Sequence, residues 1–130
     1  MGRADQPKLG ELELRILNVL WERGEATVRE VLEALPAGKR PAYTTVLTVM
    51  RLMHEKGYLT RRERGRAHIY QARLRETPIK RGMLRHLIEA AFRGSREALL
   101  VRLFEDENLS EEELRRVHEL LAQHGRGGRR

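Results

Sequence analysis

Between Arg40 and Lys56 the chain reads Arg-Pro-Ala-Tyr-Thr-Thr-Val-Leu-Thr-Val-Met-Arg-Leu-Met-His-Glu-Lys. Placed on a helix, Thr44, Thr45, Thr48 and Arg51 share one side. A threonine offers a single hydroxyl hydrogen bond to several bases and a methyl that can meet the thymine methyl, and arginine bonds guanine in a two-pronged fork. An ordinary solvated face would carry Glu and Lys, whose helix propensity exceeds that of three β-branched threonines. The chemistry of this face is therefore that of a reader of DNA bases, with a plain solvated surface as the competing explanation. The first residues of such a helix, Ala42, Tyr43, Thr44 and Thr45, reach furthest into a major groove. Arg51 is the one side chain on the face capable of bidentate readout. Direct readout per half-site should be modest, with half-site spacing and DNA shape supplying the rest.

Charge supports a polyanion partner. The net charge is +7, and its distribution is uneven. Residues 38–75 hold 10 Lys/Arg against 2 Asp/Glu, whereas residues 1–37 hold 5 against 7 and residues 76–125 hold 8 against 10. A localised basic segment is the footprint of a nucleic-acid binder. Its phosphate-contacting candidates are Lys39, Arg40, Lys56, Arg61, Arg62, Arg64, Arg66 and His68. If a dimer neutralises roughly 8 phosphates, log K should fall with log salt at a slope near −7.

Local signals define the elements that must position these residues. Gly10 can cap a first helix, with Glu13 reaching back, and Leu12, Ile16, Val19 and Leu20 form its apolar stripe up to about Arg23. Trp21 is expected in the core. Ala26-Thr27-Val28 is a link with room for one strand bridge. Thr27 and Glu30 form a capping box for a short second helix bearing Val28, Val31, Leu32 and Leu35. After the turn 36–41, Pro41 suits the first position of the third helix. That helix buries Val46, Val49, Met50 and Met53 at i, i+3, i+4, i+7 and stops at Gly57. Residues 58–63 and 67–72 are strand-like runs around Arg64-Gly65-Arg66, which read as a hairpin with an arginine-rich tip. An isolated hairpin is marginal, so this one must lean on the helices, and Tyr70 is expected to pack there. Three helices followed by a basic hairpin are the winged-helix arrangement.

Beyond residue 76 the pattern is helical throughout. Thr77-Pro78 reads as a cap followed by Pro at the first helical position, and Gly94 ends the helix. Ser95 starts the next helix, and Ser110 with Glu113 makes a third capping box. The apolar positions are Met83, Leu84, Leu87, Ile88, Phe92, Leu99, Leu100, Leu103, Phe104, Leu114, Val117, Leu120 and Leu121. Three amphipathic helices in about 50 residues have little to bury against alone, so these residues are expected to line a two-fold dimer interface. Folding back onto the first domain is the alternative. The expected organisation is a disordered start over 1–8, a winged-helix domain over 9–75, a helical dimerisation domain over 76–124 and a disordered basic tail over 125–130.

Other chemistries lack their residues. There is no cysteine, so disulfides and thiolate metal sites are excluded. The five histidines show no i, i+4 pair, so no metal site is expected, and no cofactor is implied. No P-loop, Gly-x-Ser-x-Gly or dinucleotide turn is present, and an enzyme is not expected. No run approaches the ~18 apolar residues of a membrane span, so no membrane insertion is expected. With no secretory signal segment, the cytoplasm is the expected compartment.

The sequence resembles the penicillinase-repressor family of transcriptional regulators, the BlaI, MecI and CopY group. The matching residues are Leu9-Gly-Glu-Leu-Glu13 with Trp21, Ala42-Tyr-Thr-Thr-Val-Leu-Thr-Val49, Lys56-Gly57, and Arg64-Gly-Arg-Ala-His-Ile-Tyr70. The break at Phe92 and Gly94 and the run Leu109-Ser-Glu-Glu-Glu-Leu114 match as well. The resemblance covers roughly residues 9 to 124, and its specificity lies in the order and spacing of these motifs. It implies a winged-helix domain, a helical dimerisation domain, and repression as a homodimer bound to a palindromic double-stranded operator. A membrane sensor-protease is a possible inducing partner in the resistance branch, which is cut at an asparagine–phenylalanine bond. Here Leu103 precedes Phe104, so the resemblance does not carry that cleavage over. The copper branch has a C-terminal cysteine cluster that this chain lacks. Relatives usually carry arginine at the position of Leu52, where this chain has Arg51 one residue earlier.

The fold expected is mainly α with a small β-hairpin, and the function expected is that of a dimeric operator-binding repressor. Two other readings remain: a winged-helix module whose basic face docks an acidic protein, and a regulator gated by a small ligand at the dimer junction.

Overall fold

The computed structural model describes residues 7–106 and 108–127, leaving out the side chains of Lys39 and Arg126. Six helices and one hairpin follow in order: α1 (Glu11–Arg23), α2 (Val28–Ala34), α3 (Tyr43–Glu55), β1 (Leu59–Arg64), β2 (Ala67–Ala72), α4 (Glu76–Phe92), α5 (Arg96–Asp106) and α6 (Glu111–Gly127). Among the described residues this is a mainly helical chain with a single two-stranded antiparallel sheet. The chain divides into two compact units, residues up to Met83 and residues from Leu84. The composition change had placed that division at residue 76.

The first unit is built by caps and one aliphatic core. The Glu13 carboxylate accepts from the Gly10 amide at 2.9 Å, closing the entry to α1. At α2 the Thr27 hydroxyl accepts from the Glu30 amide at 3.1 Å, and the Glu30 carboxylate accepts from the Thr27 amide at 2.9 Å. That reciprocal pair satisfies two amides the helix itself leaves unpaired. Ile16, Leu17 and Leu20 of α1, Val31 of α2, Val46, Met50 and Met53 of α3, and Leu59 and Tyr70 of the hairpin are all buried and, with Ala26, Val28 and Leu35, form one cluster. Val49 packs beside it. Trp21 is half-buried against the cluster, and its indole N–H donates to the Leu74 carbonyl at 2.9 Å.

The hairpin is tied in by its own backbone. Leu59 pairs with Ala72 at the base and Arg64 with Ala67 at the tip. The turn is the two residues Gly65-Arg66, and Gly65 has φ of 62°. Glycine first in a two-residue turn matches the hand of the strands. At the other edge Ala26 and Tyr70 exchange both backbone hydrogen bonds, at 3.0 and 2.8 Å, so the α1–α2 link adds a bridge to β2. This bridge, together with Leu59 and Tyr70 buried in the core, ties an otherwise marginal hairpin to the helices.

Three local expectations are corrected. Pro41 is not the first residue of α3: Ala42 is the cap and the helix opens at Tyr43. Arg40, just before Pro41, is extended, as steric clash with a following proline ring requires. Thr77 does not cap α4, which begins at Glu76 and carries Pro78 in its first turn, where a missing amide proton costs nothing. The basic tail is not wholly disordered, because α6 continues through Gly125 to Gly127. The start expected over 1–8 falls mostly on residues 1–6, and the end of the tail on residues 128–130; both lie outside the described residues.

In the second unit the helix ends are also well marked. The Gly94 amide donates to the Ile88 carbonyl at 2.9 Å with φ of 84° at Gly94, closing α4. The Ser95 hydroxyl accepts from Ala98 at 3.0 Å and opens α5. Ser110 and Glu113 make the reciprocal capping pair of α6, at 2.9 and 3.1 Å. The burial is of another kind, since α5 has no buried residue.

Candidate nucleic-acid interface

The core contacts of α3 decide what its other side presents. With Val46, Met50 and Met53 at 0% exposure, Thr44, Thr48 and Arg51 point away from the core, and all three are exposed. Thr45 and Leu52 flank them on one side, Tyr43 and Leu47 on the other, and all four are exposed as well. Arg51 makes no ion pair among the described residues, so its guanidinium fork is available to a ligand. Glu55 follows one turn later on the same face and puts a carboxylate at the C-terminal end. The face is therefore neutral-to-basic at its start and acidic at its end.

The structure separates the basic candidates into two groups. Arg64 and Arg66 lie at the wing tip, exposed, with no ion pair among the described residues. His68 is half-exposed on β2, with its Nε2 4.0 Å from the Glu63 carboxylate and its ring edge-on to Tyr70. The other four with described side chains are engaged within the fold. Arg40 donates to the carbonyls of Glu33 and Leu35, at 3.1 and 3.0 Å, closing the C-terminal end of α2. Arg62 makes two 3.0 Å bonds to the Glu25 carboxylate in the α1–α2 link. Arg61 donates to the Tyr70 hydroxyl at 3.3 Å. Lys56 reaches Glu13 at 3.4 Å and sits over the Tyr58 ring. Lys39 is in the short 3-10 turn Ala37–Lys39, and its side chain lies outside the described residues.

Exposed ion pairs are worth about 0–1 kcal/mol, so phosphate can draw Lys56 away from Glu13 at little cost. Arg40 and Arg62 each make two bonds within the fold, Arg40 to the end of α2 and Arg62 to the α1–α2 link.

Two features escaped the sequence. Arg29 of α2 lies over the Tyr43 ring at 4.9 Å, although fourteen residues separate them. Glu25 holds Arg62 across thirty-seven residues. No periodicity within either element signals such partners. Hydrogen bonding by the Thr27 backbone amide holds the Glu30 carboxyl below the usual carboxylate range, opposed by burial and helped by Arg23 and Arg64. No three described His, Cys, Asp or Glu residues group as a metal site.

The family model described as penicillinase repressor matches residues 9–123. The chain belongs to the penicillinase-repressor family. "Transcriptional regulator BlaI" of Mycobacterium tuberculosis (strain ATCC 25618 / H37Rv) is 39% identical over 122 residues, covering 91% of this chain and 88% of that one. "Methicillin resistance regulatory protein MecI" of Staphylococcus aureus (strain N315) is 21% identical over 114 residues, 88% and 93% of the two chains. The "Penicillinase repressor" of Bacillus licheniformis is 21% identical over 118 residues, 91% and 92%. The solution structure of the DNA binding domain of the repressor BlaI superposes with a TM-score of 0.49 at 24% identity, covering 55% of this chain and 88% of that one. Membership places the chain among transcriptional repressors rather than enzymes. Among the described residues, no helix is long and apolar enough to cross a membrane.

In this family member the candidate interface residues from Met83 to Leu121 divide by exposure. Ile88, Phe92, Leu99 and Val117 are half-buried. Met83, Leu84, Leu87, Leu100, Leu103, Phe104, Leu114, Leu120 and Leu121 are exposed, Leu121 at 63%.

Proposed function

We propose that the chain is a sequence-specific, homodimeric repressor that binds a palindromic operator in double-stranded DNA. The observation that carries this reading is the outward face of α3: Thr44, Thr48 and Arg51 turned from the core beside a wing tip whose Arg64 and Arg66 have no internal ion pair. Hydroxyls and a free guanidinium suit base edges, and the wing cations suit phosphate. The N-terminal turns of α3 enter the major groove, because the carboxylate of Glu55 would meet phosphate repulsion if the whole helix lay along it. The relatives named as regulators and repressors favour the same reading.

Homodimerisation is supported by the ten exposed large apolar side chains from Met83 to Leu121 among the described residues. A second copy covers them and sets the spacing of two half-sites, as two-fold symmetry matches a palindrome. The relatives are bacterial proteins, and in a bacterium an operator lies in the cytoplasm. Leu103 before Phe104 favours induction by a route other than cleavage at that bond.

The test is fluorescence anisotropy on the DNA upstream of the chain's own gene, with random duplex as competitor. Specific binding that weakens steeply with salt is expected. Equal affinity for both duplexes, or a salt slope near zero, overturns the reading in favour of a protein-docking module.

A further inference from the structure

A groove of about 360 Å³ separates the outward face of α3 from the wing, with α2 closing its end. Val28 and the Tyr70 ring line it below, Tyr43 and Leu47 stand on the α3 side, and Arg29 and Arg66 bring guanidinium groups to it. No Asp or Glu lines it. Two carboxylates lie just behind the lining: Glu30 accepts from the Thr27 amide at 2.9 Å at the α2 end, and Glu63 is 4.0 Å from His68 on the wing side. Arg29 is exposed, makes no ion pair among the described residues, and is held in place by the Tyr43 ring at 4.9 Å.

We propose that this groove seats one sugar–phosphate strand of the duplex, with Arg29 and Arg66 as its phosphate donors and Tyr43 as the wall that orients Arg29. The inference rests on the DNA-binding reading above and deepens it. The geometry requires a strand here. A helix inserted in the major groove and a wing reaching past it must straddle the backbone that bounds that groove. The lining fits a deoxyribose phosphate: aliphatic and aromatic carbon faces the sugar, and two cations face the phosphate oxygens. Arginine is suited to this, since its planar fork matches phosphate in two bonds and stacks on an aromatic face. Tyr43 thus acts through Arg29 as a positioning residue and not as a reader of bases.

The experiment measures affinity against salt concentration for the full chain on its upstream DNA and on random duplex. Wild type, Arg29→Gln, Arg29→Lys and Arg66→Gln are compared. Loss of one phosphate contact per protomer should lower the magnitude of the log K–log salt slope by about 0.9 for each protomer bound. Arg29→Gln should show that drop and weaken both duplexes by the same factor. Arg29→Lys should keep the slope while losing some affinity. Arg66→Gln, at a turn remote from the packing of α2, should reproduce the drop by itself. An unchanged slope in Arg29→Gln overturns the proposal while leaving the DNA-binding reading intact, and so does a loss confined to the upstream DNA. A wild-type chain with no salt-dependent binding overturns both.

Discussion

At the residue scale the outward threonines and the engaged arginines behave differently under substitution. A single neutral hydrogen bond is worth about 1 kcal/mol, so Thr44→Ala and Thr48→Ala should each weaken operator binding by roughly fivefold. Binding to random duplex should hardly change, which competition anisotropy on the two DNAs reads directly. Equal losses on both would place the hydroxyls on phosphate. Arg62 presents the contrasting case. Its two 3.0 Å bonds to Glu25 join partly exposed groups, so Glu25→Gln should cost no more than about 1 kcal/mol in thermal unfolding. Affinity for DNA should hold or rise in that variant, because a carboxylate leaves the basic side of the molecule and Arg62 is released.

At the element scale the short helix α2 depends on its cap. Seven residues are too few to hold a helix by propensity, so the Thr27–Glu30 box and the buried Val28 and Val31 maintain it. Thr27→Ala should destabilise the domain by about 1 kcal/mol in denaturant titration. The pH dependence has a definite sign. The Glu30 carboxyl titrates below its ordinary value of 4.5 in the folded chain, so its contribution is present above that value. It is lost as pH falls through the lowered folded value. Stability should therefore fall more steeply with acidification below 4.5 in the native chain than in Glu30→Gln, which should flatten that part of the stability–pH curve. In α3 the two sides should separate cleanly. Met50→Ala removes a side chain with no exposure and should cost about 2–5 kcal/mol, whereas Leu47→Ala, at a position 39% exposed, should leave the unfolding midpoint nearly unchanged.

At the scale of the whole molecule the exposed apolar residues of α4 to α6 set the expectation. Ten large apolar side chains left open between Met83 and Leu121, among the described residues, exceed the scattered singles normal for a monomer. Sedimentation equilibrium should report twice the chain mass, and Leu120→Glu with Leu121→Glu should shift it toward the monomer. The same pair of changes should reduce operator affinity far more than binding to random duplex, because it removes the paired half-sites and leaves each reading face intact. A monomeric native chain would assign the apolar surface to another partner.

Much was legible in local signals. The capping residues Gly10, Thr27, Ser95 and Ser110, the spacing of Val46, Val49, Met50 and Met53, and the glycine at the wing turn each act through neighbours a few residues away. Such interactions are written in the order of residues, so the sequence determined the helices, the hairpin, the outward threonine face and the family resemblance. The boundary errors at Pro41 and Thr77 were of one kind, since a proline is compatible with several positions around a helix start. What the sequence could not determine was the use of each cation. Arg61, Arg62, Arg64 and Arg66 are alike as letters, yet Tyr70 and Glu25 engage two of them and leave the other two at the tip. Arg29 gained a place beside Tyr43 of α3 only because α2 packs against α3. Charge acts through space, and the distances that decide it exist only once the core has brought remote residues together.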